Sequence, residues 1–395
     1  MAEYTLKVRR YQPESGKGPF WEEFDVDLDP SLSVLDGLLQ AKDRDDGSLS
    51  VRCSCRAAIC GSCGMKVNGK STLACKTQIG EAHAAANRRG GTNGAASSAP
   101  ATARESDMDA PPLPRPGAAP IVVEPMSNMP VIKDLVTDME STHWTKIRRV
   151  TPWLLPHGEP PEREYVVEPE SMIDITQSMA CIQCGACVSS CLSMEADPDF
   201  IGPAALAKAY RFVGDPRDAE TKERLHDLAH DPHGIYDCTH CFSCIDACPK
   251  GVAPMDQIMR LRRKAGEHGV QDDPNNGHNH VTAMTKIIEK FGTNDEALLI
   301  QESYAPGLKG KLKPQGIKEL IVSLPTVLRA IKTGKARSLS KLIPGIHPKL
   351  PGGAQDEVKA IYKHAEEHRE EFNIYIHGEE DVEPEPDETK MEETA

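Results

Sequence analysis

Apolar and polar positions alternate in two stretches within the first thirty residues. The apolar positions form two runs, at Tyr4, Leu6 and Val8 and then at Phe24, Val26 and Leu28. Successive side chains of a strand point to opposite faces of a sheet, so this period of two predicts two half-buried strands.

A helix and a hairpin are expected next. Ser31, a residue type favoured at helix N-termini, precedes four apolar residues at helical spacing, which are Val34, Leu35, Leu38 and Leu39. Asn68-Gly69 then separates two short runs, and this dipeptide is the strongest local signal of a tight hairpin. The hairpin would bring Cys75 back toward the cysteines that precede it.

Composition changes after these elements. Residues 83–120 are a Gly-, Ala-, Ser- and Pro-rich tract without periodicity, which predicts a disordered insertion. Helical spacing returns in residues 131–139, through Val131, Ile132, Leu135, Val136 and Met139, and again from Ala204 to Phe212. The patterns together predict an α+β protein, with a β-rich domain in residues 1–82 and 121–135 and an α-helical domain in residues 136–270.

Residues 271–395 contain no cysteine and are expected to form an extension. Its stretch 305–350 carries ten Lys and Arg against the single acid Glu319, together with an apolar stripe. Such a stretch fits a membrane surface or an acidic partner, and it equally fits an ordinary helix pair with a solvated face. Residues 379–395 are acidic and predict a disordered tail.

Composition also excludes several classes of protein. The chain of 395 residues has a formal net charge of −14, which disfavours nucleic-acid binding because affinity for phosphates needs clustered cations. Neither a signal core nor a run of 18 apolar residues occurs, so we expect no export by a signal peptide and no transmembrane helix of its own. Without export, thirteen cysteines favour metal binding over disulfides.

Two of the three cysteine groups share the Cys-x2-Cys-x2-Cys-x3-Cys spacing of bacterial ferredoxins. They are Cys181, Cys184, Cys187 and Cys191, then Cys238, Cys241, Cys244 and Cys248. In two-cluster ferredoxins the fourth cysteine of each run ligates the other cluster. One 4Fe-4S centre would therefore use Cys181, Cys184, Cys187 and Cys248. The second would use Cys191, Cys238, Cys241 and Cys244.

The remaining group has the plant-type spacing of a 2Fe-2S centre. Its ligands would be Cys55, Cys60, Cys63 and the distant Cys75. Cys53 is out of register and is expected to be a neighbour, with a swap of Cys53 for Cys55 as the alternative. Zinc is the alternative metal, although two runs of four cysteines exceed what zinc requires. No Gly-rich dinucleotide loop follows a predicted strand, so a flavin would sit on another polypeptide.

The order of these motifs, plant-type loop first and paired ferredoxin runs second, resembles the iron-sulfur subunits of succinate dehydrogenase and fumarate reductase. The stretch Pro130-Val131-Ile132-Lys133-Asp134 is similar to that family's linker, and the resemblance covers residues 4–80 and 121–262. It implies a β-grasp 2Fe-2S domain followed by a helical domain with a 4Fe-4S and usually a 3Fe-4S cluster. It also implies that this subunit lies peripherally on the cytoplasmic face of the membrane. Electrons would pass from FAD on a flavoprotein subunit, where the dicarboxylate reacts, to quinone at a membrane anchor.

The sequence departs from the family pattern in two respects. Cys241 stands where most members have no cysteine, so we expect a 4Fe-4S cluster as the third centre, with 3Fe-4S as the alternative. Thr239 and the segment 192–196 replace a histidine and a tryptophan that the family places near quinone, which predicts an atypical anchor.

Two further hypotheses stay open at this point. Leu324-Pro325 and the residues after them are faintly similar to the tail of heterodisulfide reductase iron-sulfur subunits, so a complex that reduces thiols or disulfides is the second hypothesis. A redox sensor or assembly scaffold is the third, although three centres in series exceed what sensing needs.

Overall fold

The chain forms two compact units. The computed structural model describes residues 2–88, 118–159, 161–270, 276–294 and 353–368, with short pieces and single positions between 298 and 332. The first unit comprises Met1–Leu154, Ile175–Phe212 and Cys238–Met259, and the second comprises Leu155–Asp174, Val213–Asp237 and Arg260–Ala395. All thirteen cysteines belong to the first unit.

A five-stranded sheet of order β2-β1-β5-β3-β4 forms the base of the first unit. Its strands are β1 (Ala2–Arg10), β2 (Phe20–Leu28), β3 (Gly64–Val67), β4 (Lys70–Leu73) and β5 (Ile121–Glu124). β5 runs parallel to β1 and antiparallel to β3, and the pairs β1–β2 and β3–β4 are antiparallel. The strand that follows the Gly- and Ala-rich tract therefore joins the two halves of the sheet.

The predicted alternation in β1 and β2 is confirmed. Every apolar residue of the pattern is buried, namely Tyr4, Leu6, Val8, Phe24, Val26 and Leu28. Burying one such side chain stabilises a fold by roughly 1.5–3 kcal/mol, so this face of the sheet anchors the unit.

The predicted helix is α1 (Val34–Arg44), but its N-cap is Ser33 and not Ser31. The Ser33 hydroxyl accepts from the Asp36 N–H at 3.2 Å, and the Asp36 carboxylate accepts from the Ser33 N–H at 2.9 Å. This reciprocal capping box fixes the first turn. Ser31 instead donates to Asp29 in the preceding turn.

The predicted hairpin is confirmed, because Asn68 and Gly69 connect β3 to β4 with φ values of 49° and 78°. Two positive φ values are what a type I′ turn requires. Helix α2 (Ile79–Arg88) follows and includes residues 83–88. The predicted disordered insertion was therefore wrong for these six residues, while residues 89–117 lie outside the described residues.

The helix expected in residues 131–139 is wrong. The segment forms a hairpin of β6 (Val131–Lys133) and β7 (Val136–Thr137). Asp134 occupies the turn with φ 49° and is fully buried. Its carboxylate accepts from Arg10 Nε at 2.9 Å, from Tyr11 N–H at 3.0 Å and from Ser50 N–H at 2.9 Å. These long-range hydrogen bonds stabilise the hairpin over the helix that the local apolar spacing predicted.

The other regular elements of the described chain are helices and helical turns joined by irregular segments, and α7 confirms the helix predicted over Ala204–Phe212. A π-helical turn, Glu140–Trp144, leads into α3, and short 3-10 turns lie at Pro13–Ser15, Pro169–Met172 and Ile235–Asp237. The helices are α3 (Thr145–Arg149), α4 (Ile173–Met179), α5 (Ala186–Ser189), α6 (Leu192–Ala196), α7 (Pro203–Val213), α8 (Thr221–His230), α9 (Ser243–Asp246), α10 (Pro254–Glu267), α11 (Gly277–Phe291) and α12 (Ala354–Glu367).

One apolar core joins the sheet to the cysteine-bearing helical segments of the first unit. It includes Leu6, Leu35 and Met65 of the sheet region together with Cys184 and Ala247. The helical ferredoxin segments thus share a core with the β-rich part, which fixes the cysteine groups against one another.

Buried ion pairs and a helix pair are among the described contacts of the second unit. Arg224 donates to the buried Asp218 carboxylate from Nε at 3.0 Å and from a terminal nitrogen at 2.9 Å. Helices α11 and α12 pack against each other. Most of the basic stretch 305–350, and all of the acidic tail 379–395, lie outside the described residues. Within the described part of the chain, no helix has the length and apolar character to cross a membrane.

Candidate metal centres

The loop between α1 and β3 turns its backbone amides toward cysteine sulfurs. Cys55 Sγ accepts from the N–H groups of Ala57, Ile59 and Cys60 at 3.4, 3.4 and 3.2 Å. The Ala58 N–H donates to Cys75 Sγ at 3.3 Å. The β3–β4 hairpin therefore returns Cys75 to the loop, as its sequence predicted. We call Cys55, Cys60, Cys63 and Cys75 the loop group.

Left-handed residues make this convergence of amides possible. Arg56 and Ala58 have φ values of 54°, and Gly61 has φ 73°. Alternation of left- and right-handed residues forms a concave nest of N–H groups, which binds negative charge. Cys55 and Cys60 are exposed, whereas Cys63 is buried.

Electrostatics differ within the loop group. The Ser62 hydroxyl donates to Cys60 Sγ at 3.2 Å, and together with backbone N–H groups it lowers the pKa of Cys60 to about 6. Burial raises the pKa of Cys63 to about 12. A bound cation would supply the charge that the buried Cys63 thiolate needs, so this donor set fits an iron–sulfur cluster. Cys53 packs against the apolar core.

The two ferredoxin runs have the same backbone conformation. In the first run, Gln183 and Gly185 have φ values of 57° and 78°, and in the second, His240 and Phe242 have 55° and 62°. Gly185 and Phe242 are the N-caps of α5 and α9, respectively. Cys184 and Cys241 each lie between the two left-handed residues of their run, so they occupy equivalent positions.

The thiols of the two runs meet in a crossed arrangement. Burial raises the pKa of both Cys181 and Cys184, and the nearby Cys248 thiolate adds to each increase. One cavity is lined by Cys181, Cys184, Cys187 and Cys248, which we call the inner group. Four soft donors around one largely apolar cavity fit a 4Fe-4S cluster.

The other four run cysteines also lie together. Burial raises the pKa of Cys191, and the thiolates of Cys241 and Cys238 raise it further. Burial likewise raises the pKa of Cys244 to about 12, and repulsion from the thiolate forms of Cys238, Cys191 and Cys241 contributes to the increase. We call these four cysteines, Cys191, Cys238, Cys241 and Cys244, the outer group.

The three groups adjoin in order. Gly61 of the loop packs against Cys184 of the inner group. Burial raises the pKa of Cys187 well above its usual range, and Cys244 of the outer group is among the thiols that add to the increase. Helices α5 and α9, which lie within the two runs and carry Cys187 and Cys244, contact each other. The inner group therefore lies between the loop group and the outer group.

Cys241 differs from its equivalent, Cys184. Burial alone would raise the pKa of Cys241, but hydrogen bonds from Ser243 and from the Leu192 N–H lower it below its usual value. Burial instead raises the pKa of Cys184 to about 11. Leu192 and Phe242, beside the outer group, are 53% and 56% exposed. The outer group therefore borders an apolar part of the surface.

Methionines and a buried histidine lie against the backbone of the first run. A β-carbon on Gly185 would lie 3.2 Å from Met139 Cε, 3.4 Å from Met129 Cε and 3.6 Å from Met126 Sδ. His143 is 1% exposed, and burial lowers its pKa to about 4. Its neutral ring and the thioethers provide a soft environment without added charge.

Sequence reasoning missed the residues that hold the first run in place. Asn128, with φ 59°, donates from Nδ2 to the carbonyl oxygens of Val188 and Cys191, each at 2.9 Å. Ser189 Oγ accepts from Ser71 Oγ at 2.8 Å and from the Ser127 N–H at 2.9 Å. A polar pair, Ser127-Asn128, between methionines was the only available signal in the sequence.

The residues at the expected quinone positions pair with each other. Ser193, in α6, and Thr239 have hydroxyl oxygens 3.2 Å apart, and Ser193 Oγ accepts from the Thr239 N–H at 3.1 Å. Ser193 and Thr239, which lie at two positions where the sequence departs from the family pattern, therefore contact each other beside the outer group.

Comparison with known proteins agrees with this architecture. Residues 5–143 match the family of 2Fe-2S iron-sulfur cluster binding domains, and residues 177–252 match the 4Fe-4S dicluster domains. The fumarate reductase iron-sulfur subunit of Mycobacterium tuberculosis is 37% identical over 273 residues, which cover 69% of this chain and 96% of that protein. The succinate dehydrogenase iron-sulfur subunit of Coxiella burnetii is 33% identical over 260 residues, covering 65% and 95%.

A solved structure shares the fold. It is the Mycobacterium smegmatis Sdh1 complex in the apo form, in which the matching chain has a TM-score of 0.54 and 22% identity. The match covers 69% of this chain and 98% of that chain.

Fold and cysteine groups together define an iron–sulfur protein with a mixed-sheet 2Fe-2S part and a helical dicluster part. Since its relatives exceed 30% identity and are matched almost from end to end, the chain belongs to the family of succinate dehydrogenase and fumarate reductase iron-sulfur subunits. This family carries a third cluster besides the 2Fe-2S and 4Fe-4S clusters. The predicted α+β fold, family and iron–sulfur cofactors are confirmed.

Proposed function

We propose that this chain relays single electrons between FAD on a flavoprotein subunit and quinone at a membrane anchor, as part of a succinate dehydrogenase or fumarate reductase complex. The observation that carries the proposal is the order of the three thiol groups, with the inner group between the loop and outer groups. An electron relay needs adjoining stations. The oxidation or reduction of the dicarboxylate takes place on the flavoprotein.

The ligand assignment follows the groups. The loop group holds the 2Fe-2S cluster, the inner group holds a 4Fe-4S cluster and the outer group holds the third cluster. When bound, these clusters accept and release one electron at a time. The chain's own amide and hydroxyl groups, such as Ser62 Oγ at Cys60, stabilise the negative charge of the ligand sulfurs.

A 4Fe-4S cluster is proposed for the outer group. Cys241 lies between two left-handed residues, as Cys184 does in the inner group. The hydrogen bonds from Ser243 and Leu192 that lower its pKa favour the thiolate, which is the ligand form. A fourth iron would therefore find a charged sulfur at the position equivalent to Cys184.

Exposed residues at the two ends of the relay suit two different partners. Ile59, at the tip of the loop group, is 63% exposed, and the adjacent Cys60 is also exposed. We assign this end to the flavoprotein. Leu192 and Phe242 border the outer group, and we assign this end to the anchor subunit on the cytoplasmic face of the membrane. An apolar rim with a Ser193–Thr239 pair suits an anchor that differs from the usual one.

We propose that residues 1–88 and 121–135 form the 2Fe-2S domain. Residues 136–270 form the dicluster domain. Residues 271–395 form the extension. The core shared by Cys63 and Cys184 supports a close association of the two cluster-bearing domains.

Purification of the native complex tests the proposal. We expect a flavoprotein and a membrane subunit to co-purify, succinate to reduce the clusters, and iron and acid-labile sulfide to be present. Zinc in place of iron would refute the cluster assignment. Iron-loaded protein that succinate cannot reduce and fumarate cannot oxidise would refute the assignment to this complex.

A further inference from the structure

A glycine lies where the loop of the loop group contacts the inner group. Gly61 is buried between the ligands Cys60 and Cys63, and a β-carbon placed on it would lie 2.8 Å from Cβ and 2.9 Å from Cα of Cys184. Real β-carbons do not approach other carbons this closely. The two backbones are thus in direct contact only because residue 61 has no side chain.

A second glycine completes the seat for Cys184. The Gly64 N–H donates to the Gly61 carbonyl oxygen at 3.2 Å, and a β-carbon on Gly64 would lie 3.2 Å from the Cys184 carbonyl oxygen. Gly61 and Gly64 therefore contact different parts of the same residue. We call this surface the glycine seat.

We infer that the glycine seat is the electron-transfer contact between the first two centres, and that Gly61 is the positioning residue that sets their separation. The inference rests on the proposed function. Electron tunnelling slows exponentially with distance, so a backbone contact between two ligand-bearing segments gives the shortest route through protein.

The step across the seat is the movement of one electron. The loop-group side loses one electron and the inner-group side gains one, or the reverse. No covalent bond forms or breaks, and no proton is exchanged. Gly61 does not take part chemically and acts only by allowing the approach of Cys184.

The route would run from Cys63 through the loop backbone to Cys184. Both cysteines are buried in the same apolar core, at 4% and 8% exposure. Exclusion of water from this contact keeps its geometry rigid and its polarity low, which suits transfer without large solvent rearrangement.

The main test compares Gly61→Ala with Gly251→Ala in the purified native complex. Gly251 also has a left-handed backbone, with φ 66°, and lies three residues beyond the ligand Cys248, but its added β-carbon meets nothing within 4 Å. The control therefore reproduces the backbone strain near a ligand without touching the seat.

Two measurements report directly on the contact across the glycine seat. The first is the magnetic interaction between the reduced loop and inner centres by EPR. The second is the rate of electron redistribution between them after photoreduction. In Gly61→Ala we expect a weaker interaction and a several-fold slower rate, with iron content retained. Gly251→Ala should match the wild type in both. Unchanged values in loaded Gly61→Ala, or an equal loss in Gly251→Ala, would overturn the inference.

If Gly61→Ala does not load its clusters, a second pair of variants with a smaller steric clash tests the inference. A β-carbon on Gly64 meets Met126 Cε at 1.8 Å and the Cys184 carbonyl oxygen at 3.2 Å, so Met126→Ala relieves the first clash. The double variant Gly64→Ala with Met126→Ala should transfer electrons more slowly than Met126→Ala alone, and equal rates would refute the seat. A wild-type complex without iron and sulfide would instead refute the proposed function.

Discussion

The two ferredoxin runs have the same cysteine spacing and the same backbone, but different surroundings. Gly185 of the first run is buried among methionines, whereas its equivalent, Phe242, is 56% exposed. Burial raises the pKa of Cys184 to about 11, while hydrogen bonds lower the pKa of Cys241. One local structure can thus serve as an internal station or as a surface station, depending on what packs against it.

The largest effect is expected from Cys184→Ser. Cys184 belongs to the core shared by the sheet and the helical segments, and its thiol lines the inner cavity. Loss of this ligand should remove the inner 4Fe-4S cluster and destabilise the whole first unit. Iron analysis and EPR of the purified complex would measure the loss of the cluster, and its apparent melting temperature would measure the loss of stability. The half-buried Cys53 offers a matched control, because Cys53→Ser should keep the full iron content.

A smaller and different loss is expected from Cys241→Ser. This thiol is half-buried, unlike that of Cys184, so the complex should still assemble and should lose a single iron from the outer group. Its oxidised EPR spectrum would gain a 3Fe-4S signal that the wild type lacks. A stoichiometric signal of this kind in anaerobically prepared wild-type protein would show that Cys241 binds no iron.

Acid should weaken the surroundings of the inner group through His143. Its pKa in the folded chain, about 4, lies below the ordinary value of 6.5 because the ring is buried. The unfolded chain therefore binds the proton first, and stability present above pH 6.5 is lost as the pH falls toward 4, by at most about 3 kcal/mol.

The His143→Phe variant isolates this contribution. Denaturation midpoints measured from pH 7 to pH 4 should fall less steeply in the variant than in the wild type. Parallel curves would mean that other groups, such as the carboxylates, dominate the acid response.

The smallest effect is expected from Phe242→Gly, which gives the second run the glycine that the first run has. A non-glycine residue with φ 62° is strained, and relief of that strain should raise stability by up to about 1 kcal/mol. Phe242→Ala removes the same ring but keeps the strained backbone, so it is the reference for this prediction. The apparent melting temperature of the complex should be slightly higher in Phe242→Gly than in Phe242→Ala. Equal melting temperatures in the two variants would contradict a strain of this kind.

Hydrophobic patterning predicted the fold class, and cysteine spacing predicted each ligand loop because such loops are local. The crossing of the two runs was predicted from the pattern of two-cluster ferredoxins. The Asn68-Gly69 turn was also local, and it was predicted correctly. Contacts that span the chain were not readable in this way. Arg10 and Asp134 are 124 residues apart, and their buried bond replaced the helix expected in residues 131–139 with a hairpin.

The glycine seat could not be predicted from the sequence either, because small residues are expected in any cysteine loop whose backbone amides approach sulfur. That explanation holds for Ala57 and Ala58, whose N–H groups donate to cysteine sulfurs. It does not account for Gly61, whose need for glycine arises from Cys184, a residue of a later segment.

The position of β5 has a consequence for synthesis of the chain. In the sheet, β3 and β4 connect to β1 and β2 only through β5, which is translated after residues 89–117. When the loop cysteines have left the ribosome but β5 has not, the nascent chain therefore holds two β-hairpins that are not hydrogen-bonded to each other. Each hairpin has an unpaired edge strand. Completion of the sheet, and with it a settled pocket for the first metal centre, must wait until residues 121–124 emerge from the exit tunnel.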